Sequence, residues 1–196
     1  MSAIDILGNL NGFDVNSLEP FQRILLVTDG TLTEILEAMV LERIRLVKVS
    51  QEVIPATASH VLLDPKPEEP LIERKILLQG VKSQRHYVYA ESLIAVDRLS
   101  QSFRDELINS GTPLGRLWLE HKLETFKELH GVGCQPAKEL CRYFDCDDTA
   151  PLLVRTYRVW SASKPVMVIT EYFPAVYQCP AENAGRNLDQ LVDASL

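Results

Sequence analysis

The sequence lacks the segments that membrane and secreted proteins carry. No apolar run in its 196 residues approaches the roughly 20 residues that a membrane-spanning helix needs. Residues 1–5 contain neither the basic stretch nor the long apolar stretch of a secretory signal. We therefore expect a cytoplasmic protein with no membrane span.

Cysteine is scarce, and its spacing excludes common sites. Four cysteines in a chain of this length do not indicate a disulfide scaffold, so we expect reduced thiols. Cys134, Cys141 and Cys146 follow each other at seven and five residues, unlike the closely spaced pairs of zinc sites. His130 is too near Cys134 in sequence to indicate a nucleophile and its base. We predict no metal site.

Basic residues are outnumbered, and the familiar phosphate and hydrolase motifs are absent. With 20 Lys and Arg against 27 Asp and Glu, the net charge of -7 argues against nucleic-acid binding. The sequence has no glycine-rich phosphate loop, no H-E-x-x-H and no G-x-S-x-G. An anionic ligand would need a local cationic anchor, because the overall field repels it.

What the sequence does contain is a series of strand patterns interrupted by helices. Alternating or continuous apolar residues predict strands at 43–54, 71–80, 86–96, 152–160 and 166–174. Apolar residues at helical spacing predict helices at about 20–27, 31–41 and 97–109. No strand–helix–strand repeat occurs. The predicted fold is therefore α+β with a largely antiparallel sheet, as one domain over residues 1–196 with its core at about 20–175.

Several local features carry their own predictions. Ser17 is the expected N-cap of the first helix, with Ile24 on its apolar face, and Thr31 with Glu34 fits a capping box. Residues 114–119 are predicted to begin as a short helix that runs into a strand through residue 126. Residues 128–148 are predicted to be rich in loops, and a last short helix is expected at 187–193, in a frayed tail.

Glu171 stands inside the most apolar strand, residues 166–174. A buried, unpaired acid is costly, so its side chain either faces water or has a partner. Buried acids tend to shift their pKa upward, which is how proteins make general acids at neutral pH. The local pattern alone leaves both interpretations open.

Two other stretches indicate anion binding. Alternation places Arg74, Ile76 and Leu78 on one face of a strand, and a desolvated guanidinium binds carboxylates with two parallel hydrogen bonds. The alternative is an Arg that reaches water at the edge of the sheet. At residues 112–116, a turn followed by a new segment offers free backbone N–H groups near Leu114.

These stretches occur together, in the same order and at similar spacing, in one known family. They are residues 74–78 (RKILL), 111–116 (GTPLGR) and 163–174 (SKPVMVITEYFP), with residues 31–33 (TLT) at the position of a flap. Together they resemble the chorismate pyruvate-lyase (4-hydroxybenzoate synthase) family over roughly residues 20–175. Residues 55–70 and 128–148 depart from the better-known bacterial enzymes, so the chain is more similar to the divergent branch of cyanobacteria and plastid genomes.

The resemblance implies an antiparallel sheet with an internal site closed by helical flaps. It implies removal of pyruvate from chorismate to leave 4-hydroxybenzoate for quinone biosynthesis, with no metal or organic cofactor, in a monomer or weak homo-oligomer. By position, Arg74 and the Leu114 amide would bind the ring carboxylate. Glu171 would act as general acid or hydrogen-bond donor, and Leu32 would contact the substrate from a flap.

Two alternatives to this activity remain open. Effector-binding domains of a class of bacterial transcription regulators resemble the same fold, so the chain could be a non-catalytic sensor of aromatic acids. The lyase could also release another hydroxybenzoate isomer.

Overall fold

The computed structural model describes residues 3–8, 14–57 and 60–175, and these form a helix-flanked antiparallel sheet. The six strands are β1 Ile44–Pro55, β2 Pro70–Gly80, β3 His86–Ala95, β4 Phe126–Pro136, β5 Pro151–Ser161 and β6 Lys164–Pro174. They lie in the order β1-β2-β3-β6-β5-β4, and all neighbours pair antiparallel. The predicted α+β class with an antiparallel sheet is confirmed.

The helices lie between the strands in the chain. The α-helices are α1 Ala3–Leu7, α2 Pro20–Val27, α3 Leu32–Val40, α4 Gln101–Asn109, α5 Leu114–Glu120 and α6 Cys141–Phe144. Short 3-10 turns occupy Val15–Ser17, Val61–Leu63, Val96–Arg98 and Lys138–Leu140. Among the described residues, no helix has the length and apolar character needed to cross a membrane.

Two tight hairpins set the register at the centre of the sheet. One joins β2 to β3, and the other joins β5 to β6 through Ala162 and Ser163, which have φ values of 47° and 61°. Two consecutive left-handed residues match the right-handed twist of the flanking strands. This register pairs Glu171 with Ala90 of β3 on one side and with Arg155 of β5 on the other.

One face of the sheet carries two apolar clusters with a polar band between them. Helices α2 and α3 pack Leu25 and Leu36 over one end of this face, and α4 and α5 pack Phe103 and Leu117 over the other. Between the clusters, the same face presents Arg74, Ser92, Arg155 and Glu171, all of which are buried. Arg74, Ser92 and Glu171 line a cavity in this band, whereas Arg155 contacts the end of α2.

The predicted start of the first helix is wrong by two residues. The Ser17 hydroxyl donates to the Asp14 carbonyl in a 3-10 turn, and the N-cap of α2 is Glu19, which forms a reciprocal capping box with Gln22. Pro20 takes the first helical position, where its fixed φ is favourable. The predicted apolar face is also wrong at Ile24, which is 51% exposed.

For helix α3, the predicted N-cap residue is correct, but the predicted capping hydrogen bonds do not form. Thr31 is the N-cap of α3, as predicted, but its side chain makes no capping hydrogen bond. That side chain lies against Gly115 of α5 instead. Contact with another helix therefore replaces the capping box expected with Glu34.

The largest error concerns residues 128–148, because β4 covers their first part. The helix at residues 114–120 ends before the strand, which begins only at Phe126 and pairs with β5 along its length. Gly131 and Gly133 lower the strand propensity, and a register shift between Leu129 and Gly131 interrupts the alternation. The N-terminal lead-in, the predicted helix at 187–193 and Cys179 lie wholly or partly outside the described residues.

Candidate active site

A cavity lies between the polar band of the sheet and the first residues of helices α3 and α5. Arg74, Leu114, Leu32 and Glu171, the four site residues expected from the sequence, all line it. Its remaining wall is mostly apolar and includes Leu46, Ile76, Leu78, Val88, Ala90, Ile94, Trp118, Tyr157 and Ile169. The structure therefore brings together residues that are up to 139 positions apart in the chain (Leu32 to Glu171).

Arg74 forms the cationic end of this cavity. It is only 3% exposed, and within the described part of the chain its Nε and Nη2 have no hydrogen-bond partner. Burial lowers its pKa from the usual value. Nearby, Lys48 donates to the Ile108 carbonyl, and burial together with the charge of Arg74 lowers the pKa of Lys48. Two unpaired guanidinium donors in a buried site suit a carboxylate ligand.

Leu114 is the first residue of α5, after the N-cap Pro113. The first N–H groups of a helix have no acceptor within it. In α5 the Pro113 carbonyl accepts from the N–H groups of Arg116 and Leu117, which are further along. The amide of Leu114 thus lies at the start of a helix that borders the cavity.

Glu171 is buried and paired, so it does not face water. It is 6% exposed, and its carboxylate accepts from Arg155 Nε at 2.5 Å and from Tyr157 Oη at 2.9 Å. Burial, followed by the charge of Glu171, raises the pKa of Tyr157 well above 10, so its hydroxyl is a donor here. Both partners are donors, so in this arrangement the Glu171 carboxylate acts as a hydrogen-bond acceptor.

Arg155 is one of two charged residues near the cavity that the sequence analysis did not identify. It is 1% exposed, and its Nη1 donates to the carbonyls of Leu25 and Thr28 at the end of α2. Burial opposes its charge, but Glu171 and Tyr157 raise its pKa above the usual value. The register places it directly opposite Glu171, so the two side chains meet across neighbouring strands.

Lys127 of β4 is a second cation at the cavity wall. Its Nζ lies 5.6 Å from the ring centroids of Trp118 and Tyr157, within range of cation–π attraction. It donates to the carbonyls of Asp29 at 2.7 Å and Gly30 at 2.9 Å. Burial lowers the pKa of Lys127, although the charge of Glu171 opposes the shift.

The separation of Arg74 and Glu171 suits an aromatic ring between them. Arg74 pairs with Ser92 on β3, and Glu171 pairs with Ala90 on the same strand, two residues away. Two strand spacings of about 4.8 Å and a two-residue offset of about 3.3 Å each place the two Cα atoms roughly 12 Å apart. Both side chains extend from the same face toward the intervening space.

Helix α3 approaches α5 closely beside the cavity. A Cβ atom at Gly115 would come within 2.7 Å of the Thr31 Cγ2. Only glycine at this position therefore permits the observed contact between the two helix starts, which lie next to Leu32 and Leu114.

The three cysteines that the structure describes are not part of this site. Cys134, Cys141 and Cys146 are free thiols and do not line the cavity. In the described ranges, no group of three or more His, Cys, Asp or Glu side chains is arranged to hold a metal ion.

Comparison with known proteins identifies relatives across most of the chain. The model of a family described as "Chorismate pyruvate-lyase Rv2949c-like" matches residues 26–179. A chorismate pyruvate-lyase of Mycobacterium tuberculosis (strain ATCC 25618 / H37Rv) is 31% identical over 169 residues, which cover 84% of each chain. One of Mycobacterium leprae is 32% identical over 162 residues, covering 82% of this chain and 77% of the relative.

A solved structure shows the same fold in another setting. The effector domain of PhnF from Mycobacterium smegmatis superimposes with a TM-score of 0.59, covering 76% of this chain and 90% of that domain. The identity is 10%, so the likeness concerns the fold alone.

Proposed function

We propose, because this chain belongs to the Rv2949c-like chorismate pyruvate-lyase family, that it eliminates pyruvate from chorismate and leaves 4-hydroxybenzoate, which serves quinone biosynthesis. One structural observation supports the proposal in addition to the family membership. Arg74, with two buried donors unpaired among the described residues, lines the same apolar cavity as Glu171. This arrangement fits an aromatic acid that has a carboxylate at one end and reacting groups at the other.

The reaction requires the protein mainly to orient the substrate and to transfer a proton. Chorismate becomes aromatic when the C3–O bond to the enolpyruvyl group breaks and C4 loses its hydrogen as a proton. The enolpyruvate that departs gains a proton on its methylene carbon and becomes pyruvate. A site that fixes the ring and excludes water lowers the barrier without covalent chemistry.

Arg74 and the Leu114 amide are proposed to bind the ring carboxylate. A guanidinium with free Nε and Nη2 donors fits two carboxylate oxygens at once, and the first amide of α5 adds a further donor. Leu32 closes the cavity from α3 with an apolar contact. These residues hold the ring so that C4 faces Glu171.

Glu171 is proposed to move the proton in two steps. Arg155 and Tyr157 both donate to its carboxylate, and in the first step the carboxylate accepts the proton from C4. The neutral carboxyl that results then donates this proton to the departing enolpyruvyl group. The role of general acid expected from the sequence is thereby kept, but it follows a step as base.

Incubation of the purified chain with chorismate tests the proposal. Pyruvate should be released in equal amount to an aromatic product that co-elutes with authentic 4-hydroxybenzoate and not with its 2- or 3-hydroxy isomers. A folded protein that binds 4-hydroxybenzoate but releases no pyruvate would reject the lyase and favour the sensor alternative.

A further inference from the structure

Lys127 places a second positive charge at the cavity, and the mechanism above does not use it. In the described part of the chain, neither Lys127 nor Arg74 forms an ion pair with a carboxylate, whereas Arg155 neutralises Glu171. The cavity therefore carries two positive charges without an ion-paired carboxylate among the described residues, although the charges of Glu171 and Asp29 both act on Lys127. A ligand with two negative charges would complement it.

The two cations lie on opposite sides of Glu171 in the sheet. Arg74 is on β2, Glu171 on β6 and Lys127 on β4, with the strand order β2-β3-β6-β5-β4. The side chain of Lys127 extends over Tyr157, whose hydroxyl contacts Glu171. A ligand bound at Arg74 by one carboxylate thus meets Glu171 at its middle and the ammonium of Lys127 at its far end.

The ammonium of Lys127 still has a donor to offer. A protonated amine has three N–H bonds. Two of them reach the Asp29 and Gly30 carbonyls, which fix Nζ between the aromatic rings. The third is available to a ligand without breaking either contact. The same two bonds tie the segment before α3 to β4, so Lys127 holds the flap and the proposed ligand contact together.

We propose that Lys127 binds the second carboxylate of a dianionic substrate, namely the carboxylate on the enolpyruvyl group. This inference rests on the proposed function, since it takes chorismate as the substrate. It gives the site a way to distinguish substrate from product, because 4-hydroxybenzoate retains only the ring carboxylate. Pyruvate would leave from the Lys127 end, where its charge is matched.

A pair of unreactive ligands that differ in one carboxylate tests the role of Lys127. 3-(1-Carboxyvinyloxy)benzoate has an aromatic ring and carries both the ring carboxylate and the carboxylate on the enolpyruvyl group. 3-Ethoxybenzoate carries only the ring carboxylate. Hydrogen bonds to charged groups predict that Lys127→Met weakens the dicarboxylate roughly 10- to 100-fold and the monocarboxylate less than about threefold, by calorimetry. Lys127→Arg should retain the preference for the dicarboxylate.

Two control variants define the baseline. Arg74→Ala should weaken both ligands, because both carry the ring carboxylate. Lys82→Met removes an exposed lysine outside the cavity and should change neither. If Lys127→Met does not fold, Lys127→Gln, whose amide still donates to the loop carbonyls, replaces it in the comparison.

Equal weakening of the two ligands by the Lys127 substitution, or no weakening of either, would overturn the inference. The outcome is separate from that of the lyase. Wild-type protein that prefers the dicarboxylate but releases no pyruvate from chorismate rejects the activity and keeps the role of Lys127. Turnover of chorismate without that preference keeps the activity and rejects the role of Lys127.

Discussion

Removal of Arg155 should expose how much the buried ion pair matters to the site. Arg155→Met deletes the guanidinium that lies 2.5 Å from Glu171 and leaves an aliphatic chain of similar length. Because the carboxylate then stays buried without its counter-charge, the free energy of unfolding should fall by about 3 to 5 kcal/mol. The two hydrogen bonds to the end of α2 are lost in the same variant.

The loss can be assigned to the pair by a double-mutant cycle. Urea unfolding of Arg155→Met, Glu171→Gln and the double variant should give a coupling energy of about 2 kcal/mol or more, because either single change strands the other partner.

Arg104→Met serves as the matched control on a surface pair. Arg104 lies 3.3 Å from Asp97, and the aspartate side chain is 55% exposed. Its removal should cost about 1 kcal/mol or less. If Arg155→Met cost no more than Arg104→Met, or if the effects of Arg155→Met and Glu171→Gln simply added, the ion pair would not be the element that holds Glu171.

Three further predictions concern catalysis, the flap and a turn. Glu171→Gln should lower kcat by about 10²- to 10⁴-fold with little change in KM, whereas Arg74→Ala should raise KM about 10- to 100-fold; small and equal effects in steady-state kinetics would contradict the roles. Gly115→Ala should lower kcat/KM by about tenfold, because the added Cβ displaces Thr31. Adding Thr31→Ser removes the clashing methyl and should restore activity, and a failure to restore it would show that the defect does not arise from this contact. Ala162→Gly should raise stability in thermal unfolding by about 0.5 to 1 kcal/mol, since φ is 47° there, and an unchanged or lower Tm would contradict this.

The central strands could be predicted from the sequence, and so could the residues that lie at the two ends of the cavity. Alternation in β2 assigns Arg74 to the same face as Ile76 and Leu78, and all three line the cavity. The same signal was present for Arg155, which alternates with Leu153 and Tyr157 on the apolar face of β5. A buried arginine is rarely left without a partner, and the register of the hairpin places Glu171 opposite Arg155.

Other parts of the site depend on tertiary contacts that no local pattern encodes. Lys127 lies near the start of β4, an edge strand whose glycines hide its alternation. Its direction is set by the carbonyls of Asp29 and Gly30, 98 and 97 residues away. The bonding of Thr31 likewise follows from Gly115, so a capping box that fits the sequence does not form.

The net charge of -7 is a sum over the whole chain and does not describe the local charge of the cavity. Two charges 4 Å apart attract by about 1 kcal/mol in water but about 4 kcal/mol at the effective dielectric of a protein site. Surface charges beyond a Debye length of about 10 Å at 0.1 M salt are largely screened, whereas buried cations such as Arg74 are not. An acidic chain can therefore bind a dianion, provided that its own buried carboxylate is neutralised. Arg155 meets that condition at Glu171, which leaves the charges of Arg74 and Lys127 to the ligand.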